Sequence, residues 1–393
     1  MVPPRASRIV AMNLLRRSCA VWAVVLALTD VSYGESSLGS PAIQKINALF
    51  ADCANTHAPG YAIGIVRDGH VLYAKGYGLA NLDDEVPITS ETVFHLASLS
   101  KQFTAAALVL LIEDGKVALT DPVEKYVPEA HRYGPELQIR HLAYMTSGLV
   151  EYTDVKRANG TPWFSDFYFD IDDAVAASLS QPLQFEPGLR WGYRNINFML
   201  IAKIVENVSG QSLHDFLQSR MFAPLQMHAT ILDDDTTQVI PHRAIGYAQR
   251  TPEIVSELAK LHFHATSSGK WVRLNRISPH YGGSGIFSSV QDLAKWHDNF
   301  EHPVVGGKQF GPLMYRTERF SHDKVNDALG LVWREYRGLK MLDYSGEDLD
   351  TNTYMAHFPG SHVGVICLSN LLHGDCEDRA KAIMEVLFDD KLL

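Results

Sequence analysis

Ser98-Leu99-Ser100-Lys101 stands where the polar pair Glu91-Thr92 gives way to the largely apolar run Gln102 to Ile112. Residues three apart on a helix are neighbours on its surface, so the spacing predicts that Lys101 reaches the Ser98 hydroxyl. A helix N-terminus there adds partial positive charge and free amide donors. Serine is a weak nucleophile until a base takes its proton, and a lysine qualifies when an apolar pocket lowers its pKa. The stretch after Lys101 is apolar on every side until Gly115, as a buried central helix would be. A second Ser-x-x-Lys, Ser267-Ser268-Gly269-Lys270, has no such run behind it. An N-capping serine beside a solvated lysine is the plain alternative for any such spacing.

Gly192-Tyr193-Arg194-Asn195 follows Glu186-Pro187-Gly188, precedes the helical run Phe198 to Val205, and holds the chain's one Tyr-x-Asn. A phenol near a lysine can pass protons, and an amide on the same turn can orient both lysine and a substrate carbonyl. A buried tyrosine and a loop asparagine remain the alternative for this tripeptide by itself.

The elements that must position these groups are legible in outline. Residues 41–56 read as a helix with Ile43, Ile46, Leu49 and Phe50 on one face. Tyr61 to Arg67 and Val71 to Tyr77 flank Asp68-Gly69, a strong hairpin signal because glycine accepts the positive φ of a tight primed turn. Leu329 to Tyr336, Thr353 to Phe358 and His362 to Leu368 read as antiparallel strands, and Arg379 to Phe388 as a closing helix. Strands thus cluster at both ends, about 41–95 and 301–393, while about 96–300 reads mostly as helices and polar loops. The expected fold is α/β (α+β): an antiparallel sheet built from both ends, flanked by the terminal helices, with a large helical insertion. The polar stretch 234–283 reads as a long loop placed to cover a cleft.

The chain has 393 residues, 46% hydrophobic and 20% charged, which describes a globular protein. Its net charge of -10 becomes -13 without the four arginines and one aspartate of residues 1–34. Such a balance disfavours a nucleic-acid partner. Arg16-Arg17, the apolar core Cys19 to Leu28 and the small residues of Ser32-Tyr33-Gly34 form a secretory signal, with cleavage expected after Gly34. The core is short for a membrane span, so the mature form, residues 35–393, is expected to be secreted or periplasmic. Met12 is a second candidate start. Cys53, Cys367 and Cys376 remain after cleavage, too few for a disulfide framework. No Cys/His spacing fits zinc, and His262 and His264 read as surface histidines. Neither a metal nor an organic cofactor is expected.

Taken in order, several segments resemble the serine beta-lactamase and penicillin-recognising superfamily, in its class C beta-lactamase, D,D-peptidase and esterase branch. They are Phe94 to Lys101, Asp121-Pro122-Val123, His141 to Leu149, Tyr193-Arg194-Asn195, and Gly282 to Ser289 running into Asp292-Leu293-Ala294. The resemblance covers about residues 41–393. It implies acyl transfer in which Ser98 attacks a carbonyl, Lys101 and Tyr193 shuttle its proton, and Asn195 orients Lys101 and the substrate. It also implies oxyanion donors in the amides of Ser98 and Glu347, and a substrate edge at Tyr344, Ser345, Gly346 and Glu347.

That edge departs from the family pattern. Relatives carry lysine or histidine where this chain has Tyr344, and commonly glycine where it has Asp350. A cation there attracts a substrate carboxylate, whereas a tyrosine offers a hydroxyl and a ring. Lys340 and Arg337, earlier on the same hairpin, are the other basic groups to consider. The reading is therefore an exported serine hydrolase of small-molecule or peptide substrates, acting on esters or on amides and peptides with D-residues, with weak or absent beta-lactamase activity. The alternatives are a class C-like beta-lactamase or D,D-carboxypeptidase, and a penicillin-binding sensor or scaffold without turnover. The family arrangement also brings Cys53 towards Cys376, where a disulfide would be feasible. Oligomeric state is not legible.

Overall fold

The computed structural model describes residues 38–54, 57–159, 170–260, 269–274, 281–320 and 326–393. Asp68 and Gly69 both take positive φ, 49° and 76°, and so turn β1 (Tyr61–Arg67) tightly into β2 (His70–Tyr77). Arg337 and Gly338 do the same, at 51° and 82°, between β3 (Val332–Tyr336) and β4 (Leu339–Asp348). β5 (Thr351–Phe358) and β6 (Val363–Ser369) complete a six-stranded antiparallel sheet in the order β3-β4-β5-β6-β1-β2. The two ends of the chain meet at its centre, where Ile63 of β1 lies opposite Cys367 of β6.

Six helices matter to the site: α1 (Ser40–Ala48), α2 (Lys101–Glu113), α3 (Tyr152–Ala158), α4 (Asn195–Ser209), α5 (Val290–Glu301) and α6 (Cys376–Asp389). Strand alternation sends Ile63, Ile65, Val363 and Val365 to one face, against Ile46, Phe50, Ile383 and Leu387 of the terminal segments. Ala62, Met355, Ile366 and Leu368 line the other face and join the helical core that holds α2, α4 and Trp296 of α5. Every residue from Lys101 to Leu111 is buried, which is why α2 shows no polar stripe. Each fully buried leucine, valine or phenylalanine there contributes roughly 1.5–3 kcal/mol, so α2 is a rigid pillar on which to mount chemistry.

Several expectations need correcting. The first helix ends at Ala48 and only a single turn, Ala51–Ala54, follows. Ser98 lies in a 3₁₀ turn, Ala97–Ser100, and α2 starts at Lys101. The central region carries sheet as well as helix: Phe94–His95, Ile286–Ser288 and Ile231–Leu232 form three short paired strands. The stretch read as one long loop contains the strand pair Gly246–Gln249 with Trp271–Leu274 and the helix Pro252–Lys260. Strands this short show no period that a sequence reading can find.

No disulfide joins Cys53 and Cys376. Each of the two thiols is turned to a backbone carbonyl instead: Cys376 donates to Asn352 at 3.1 Å and Cys53 to Phe50 at 3.4 Å. Residues 1–34, read above as a secretory signal, and His262, His264 and Ser267 fall outside the described residues. Among the described residues no helix is long and apolar enough to cross a membrane.

Candidate active site

Ser98 is half-buried at the end of a backbone kink, since the preceding Ala97 takes φ +47°. A left-handed alanine costs about 1–2 kcal/mol, so the surrounding structure must hold it. The side chains of β5 do so, with Thr351 Oγ1 donating to the His95 carbonyl at 2.7 Å and Thr353 Oγ1 to the Leu96 carbonyl at 2.9 Å. In a 3₁₀ turn residues three apart eclipse one another, and Lys101 Nζ accordingly donates to Ser98 Oγ at 2.9 Å.

Lys101 is fully buried, and its ammonium has three acceptors for three protons. Besides Ser98 Oγ these are Asn195 Oδ1 at 2.8 Å and the Gly283 carbonyl at 2.7 Å. The Nζ also sits 4.8 Å from the centre of the Tyr193 ring, on the face of the one phenol that touches the serine. Tyr193 Oη lies 2.6 Å from Ser98 Oγ and 3.3 Å from Asn195 Oδ1. When Lys101 donates to Ser98 Oγ, the serine proton has Tyr193 as its outlet; a neutral Lys101 would take that proton itself. The four residues singled out from sequence are thus brought together at hydrogen-bond range.

The substrate edge is brought to the site in part. β3 pairs with β4 only as far as Val332 opposite Asp343, so Tyr344 to Asp348 run on beyond the end of that ladder. At Gly346 the strand comes so close that a Cβ would stand 2.3 Å from the Leu96 carbonyl and 3.0 Å from the Ser98 amide nitrogen. Tyr344, on the same face, is hydrogen-bonded to Tyr193, and burial followed by Tyr193 and Asp327 pushes its phenol well above the ordinary range. Burial also lifts the Asp327 carboxyl, to about 6, against the lowering by its hydrogen bond from Trp191. Ser345 and Glu347 are exposed and line a cleft of about 390 Å³ with Asn352, Asp375 and Lys381. Glu347 is engaged there by His373. Arg337 pairs with Glu385 of α6 and lies over the Phe388 ring, so it is not a substitute cation for Tyr344.

Sequence reasoning missed Glu151. This carboxyl, 8% exposed, accepts the backbone amide of Asn195 and, at 3.2 Å, that of Tyr152. Burial pushes it up to about 7, against the lowering by those amides and by Lys101 and Arg194. The available signal was an acidic residue directly before a helix, a capping position. Gly283 was read as part of a motif, without a task of its own. Among the described residues no group of three or more His, Cys, Asp or Glu could hold a metal ion.

Comparison with known proteins gives a consistent picture. The sequence profile of the family described as Beta-lactamase matches residues 44–388. A D-aminopeptidase of Gluconobacter oxydans (strain 621H) is 33% identical over 249 residues, covering 63% of this chain and 43% of that protein. Penicillin-binding protein 4* of Bacillus subtilis (strain 168) is 30% identical over 280 residues, 69% of this chain and 59% of that protein. The chain therefore spans about half the length of these relatives. Among solved structures, the D-amino acid amidase from Ochrobactrum anthropi SV3 complexed with L-phenylalanine amide superposes with a TM-score of 0.74 at 20% identity. It covers 89% of this chain and 99% of that one, a likeness of fold.

Proposed function

The chain belongs to the beta-lactamase family, and we propose that it is an exported serine hydrolase that works through an acyl-enzyme on Ser98. The observation that carries this reading is the convergence on one half-buried oxygen: Lys101 Nζ at 2.9 Å and Tyr193 Oη at 2.6 Å from Ser98 Oγ. Ser98 Oγ attacks the substrate carbonyl as its proton passes to Tyr193 or Lys101, forming the C–O bond of a tetrahedral intermediate. The amides of Ser98 and Glu347 hold the oxyanion, and each such donor typically supplies about 2.7–4 kcal/mol. Collapse breaks the bond to the leaving amine or alcohol, which takes back the proton. Water, deprotonated by Tyr193, then releases the acid and restores Ser98.

The substrate class follows from Tyr344. Without a cation at that position, and with the Asp327 carboxyl near its phenol, the edge has little to offer a carboxylate. We assign esters and amides or peptides of D-residues as the substrates, with weak or absent beta-lactam hydrolysis. The D-aminopeptidase relative supports the amide side of that assignment. Export rests on the leader-like residues 1–34. The test compares hydrolysis of a D-phenylalanine amide, a p-nitrophenyl ester and nitrocefin by the wild type and Ser98→Ala. Turnover of the first two that vanishes in the variant supports the reading. Nitrocefin turnover at an ordinary enzymatic rate would instead make the protein a class C-like beta-lactamase.

A further inference from the structure

A second hydrogen-bonded chain of serine, histidine and aspartate runs beside the Ser98 site. Ser284 Oγ lies 2.9 Å from His95 Nε2, and His95 Nδ1 lies 2.8 Å from Asp350 Oδ1. The imidazole and the carboxyl are almost wholly buried, at 1% and 5% side-chain exposure. An ionised carboxylate can only accept, so Nδ1–H donates to Asp350; in the neutral imidazole Nε2 then accepts from Ser284 Oγ. The three residues come from three parts of the fold that build the site: the segment three residues before Ser98, the turn between β4 and β5, and the loop that supplies the Gly283 carbonyl to Lys101.

That loop is Gly282-Gly283-Ser284-Gly285, with Gly282 at φ +90° and Gly285 at φ +97°. Glycines lose the most conformational freedom on folding, and here three of four positions have no side chain with which to be anchored. Ser284 has the only one. The neighbouring backbone is fixed at Gly282, whose carbonyl accepts from Thr104 Oγ1 at 2.7 Å, and at Ile286, whose amide donates to Ser100 Oγ at 3.1 Å. Between these two pins stands the carbonyl that takes the third proton of Lys101.

We propose that Ser284, His95 and Asp350 form a strut that fixes the Gly283 carbonyl, and through it the direction in which Lys101 faces Ser98. The three are positioning residues, and the proposal rests on the assignment of Lys101 to proton transfer from Ser98. The strut ties the placement of Lys101 to the β4–β5 turn, so a change at the substrate edge is transmitted to the proton relay. A shift of the carbonyl leaves substrate binding in place and misaligns the relay, which lowers kcat rather than raising KM.

The experiment measures p-nitrophenyl ester hydrolysis and fluorophosphonate acylation, followed by intact-protein and peptide mass spectrometry, for the wild type, Ser284→Ala, Ser284→Thr, Asp350→Asn and Ser98→Ala. Ser284→Ala removes one half-buried oxygen, and Asp350→Asn keeps the size of the side chain. The strut predicts that Ser284→Ala and Asp350→Asn lower kcat about tenfold with KM within about twofold, and that Ser284→Thr, which keeps the hydroxyl, restores most of the rate. Ser284→Ala and Asp350→Asn at the wild-type rate would overturn the strut alone. Fluorophosphonate labelling of Ser284 in Ser98→Ala would overturn the strut and the assignment of Ser98 as the acyl carrier together, because Ser284 would then be a nucleophile in its own right. A wild type that forms no Ser98 adduct would overturn the hydrolase reading, and the strut with it.

Discussion

The backbone amide of Asn195 donates to the buried carboxylate of Glu151, so a single side chain caps two helices, α3 at Tyr152 and α4 at Asn195. The turn that carries Tyr193 and Asn195 is thereby bolted to the segment after Gly148. The same carboxylate is the acidic partner whose attraction Lys101 feels across Asn195.

Glu151 gives the protein a pH signature. Its folded pKa, about 7, is raised above the ordinary carboxyl value of 4.5 mainly by burial. Its contribution to stability is therefore fully present below about 4.5 and is lost as pH rises through about 7, an effect on the order of 3 kcal/mol. Glu151→Gln cannot ionise and should lack that decline. Urea unfolding at pH 5 and pH 8 should show the variant weaker than wild type at the lower pH, with the gap narrowing or reversing at the higher. A gap of the same size at both values contradicts the assignment.

Gly346 tests the closeness of the substrate edge to the nucleophile. Alanine there would bring a carbon to 2.3 Å from the Leu96 carbonyl and 2.5 Å from Thr353 Oγ1, and the backbone must move to relieve it. Overpacking of this kind costs about 1–3 kcal/mol, and a displaced oxyanion donor costs about 100-fold in kcat. Kinetics and thermal unfolding of Gly346→Ala measure both, and an unimpaired variant would mean that the strand does not abut Ser98.

The proposed role of Tyr344 in charge preference is tested by giving that position a cation. Tyr344→His, combined with Asp327→Asn to remove the nearby carboxyl, should raise the rate of penicillin acylation about tenfold, the scale of one modest charge-assisted contact. The second-order rate constant for a fluorescent penicillin reads this directly. An unchanged rate would discard the missing cation as a limit on penicillin acylation.

Thiol titration under denaturing conditions should find three reactive thiols in residues 35–393, since no disulfide joins Cys53, Cys367 and Cys376 to one another. One thiol, rising to three on reduction, would restore the Cys53–Cys376 bond that the family arrangement invited.

The site was legible where its groups are close in sequence. Ser98 and Lys101 are three apart, a spacing that brings both onto one turn, and Tyr193 and Asn195 are two apart where the chain enters α4. The two-ended sheet was legible because its long strands are apolar runs and the Asp68-Gly69 turn between two of them takes positive φ. The supporting network was not. His95 and Asp350 are 255 residues apart, and His95 and Ser284 189 apart. They meet only once the β4–β5 turn and strands of two or three residues have packed, and no local pattern encodes that meeting. Glu151 escaped for a related reason: its partner is a backbone amide, which carries no residue type to search for.

The central claim is that Ser98 carries the acyl group, and intact-protein mass spectrometry of the wild type and Ser98→Ala after exposure to a penicillin, a p-nitrophenyl ester and a fluorophosphonate tests it most directly. The account predicts a single adduct on the wild type, fastest with the fluorophosphonate or ester and slowest with the penicillin, and none on Ser98→Ala. An unmodified wild type, or an adduct that survives the loss of Ser98, would contradict it.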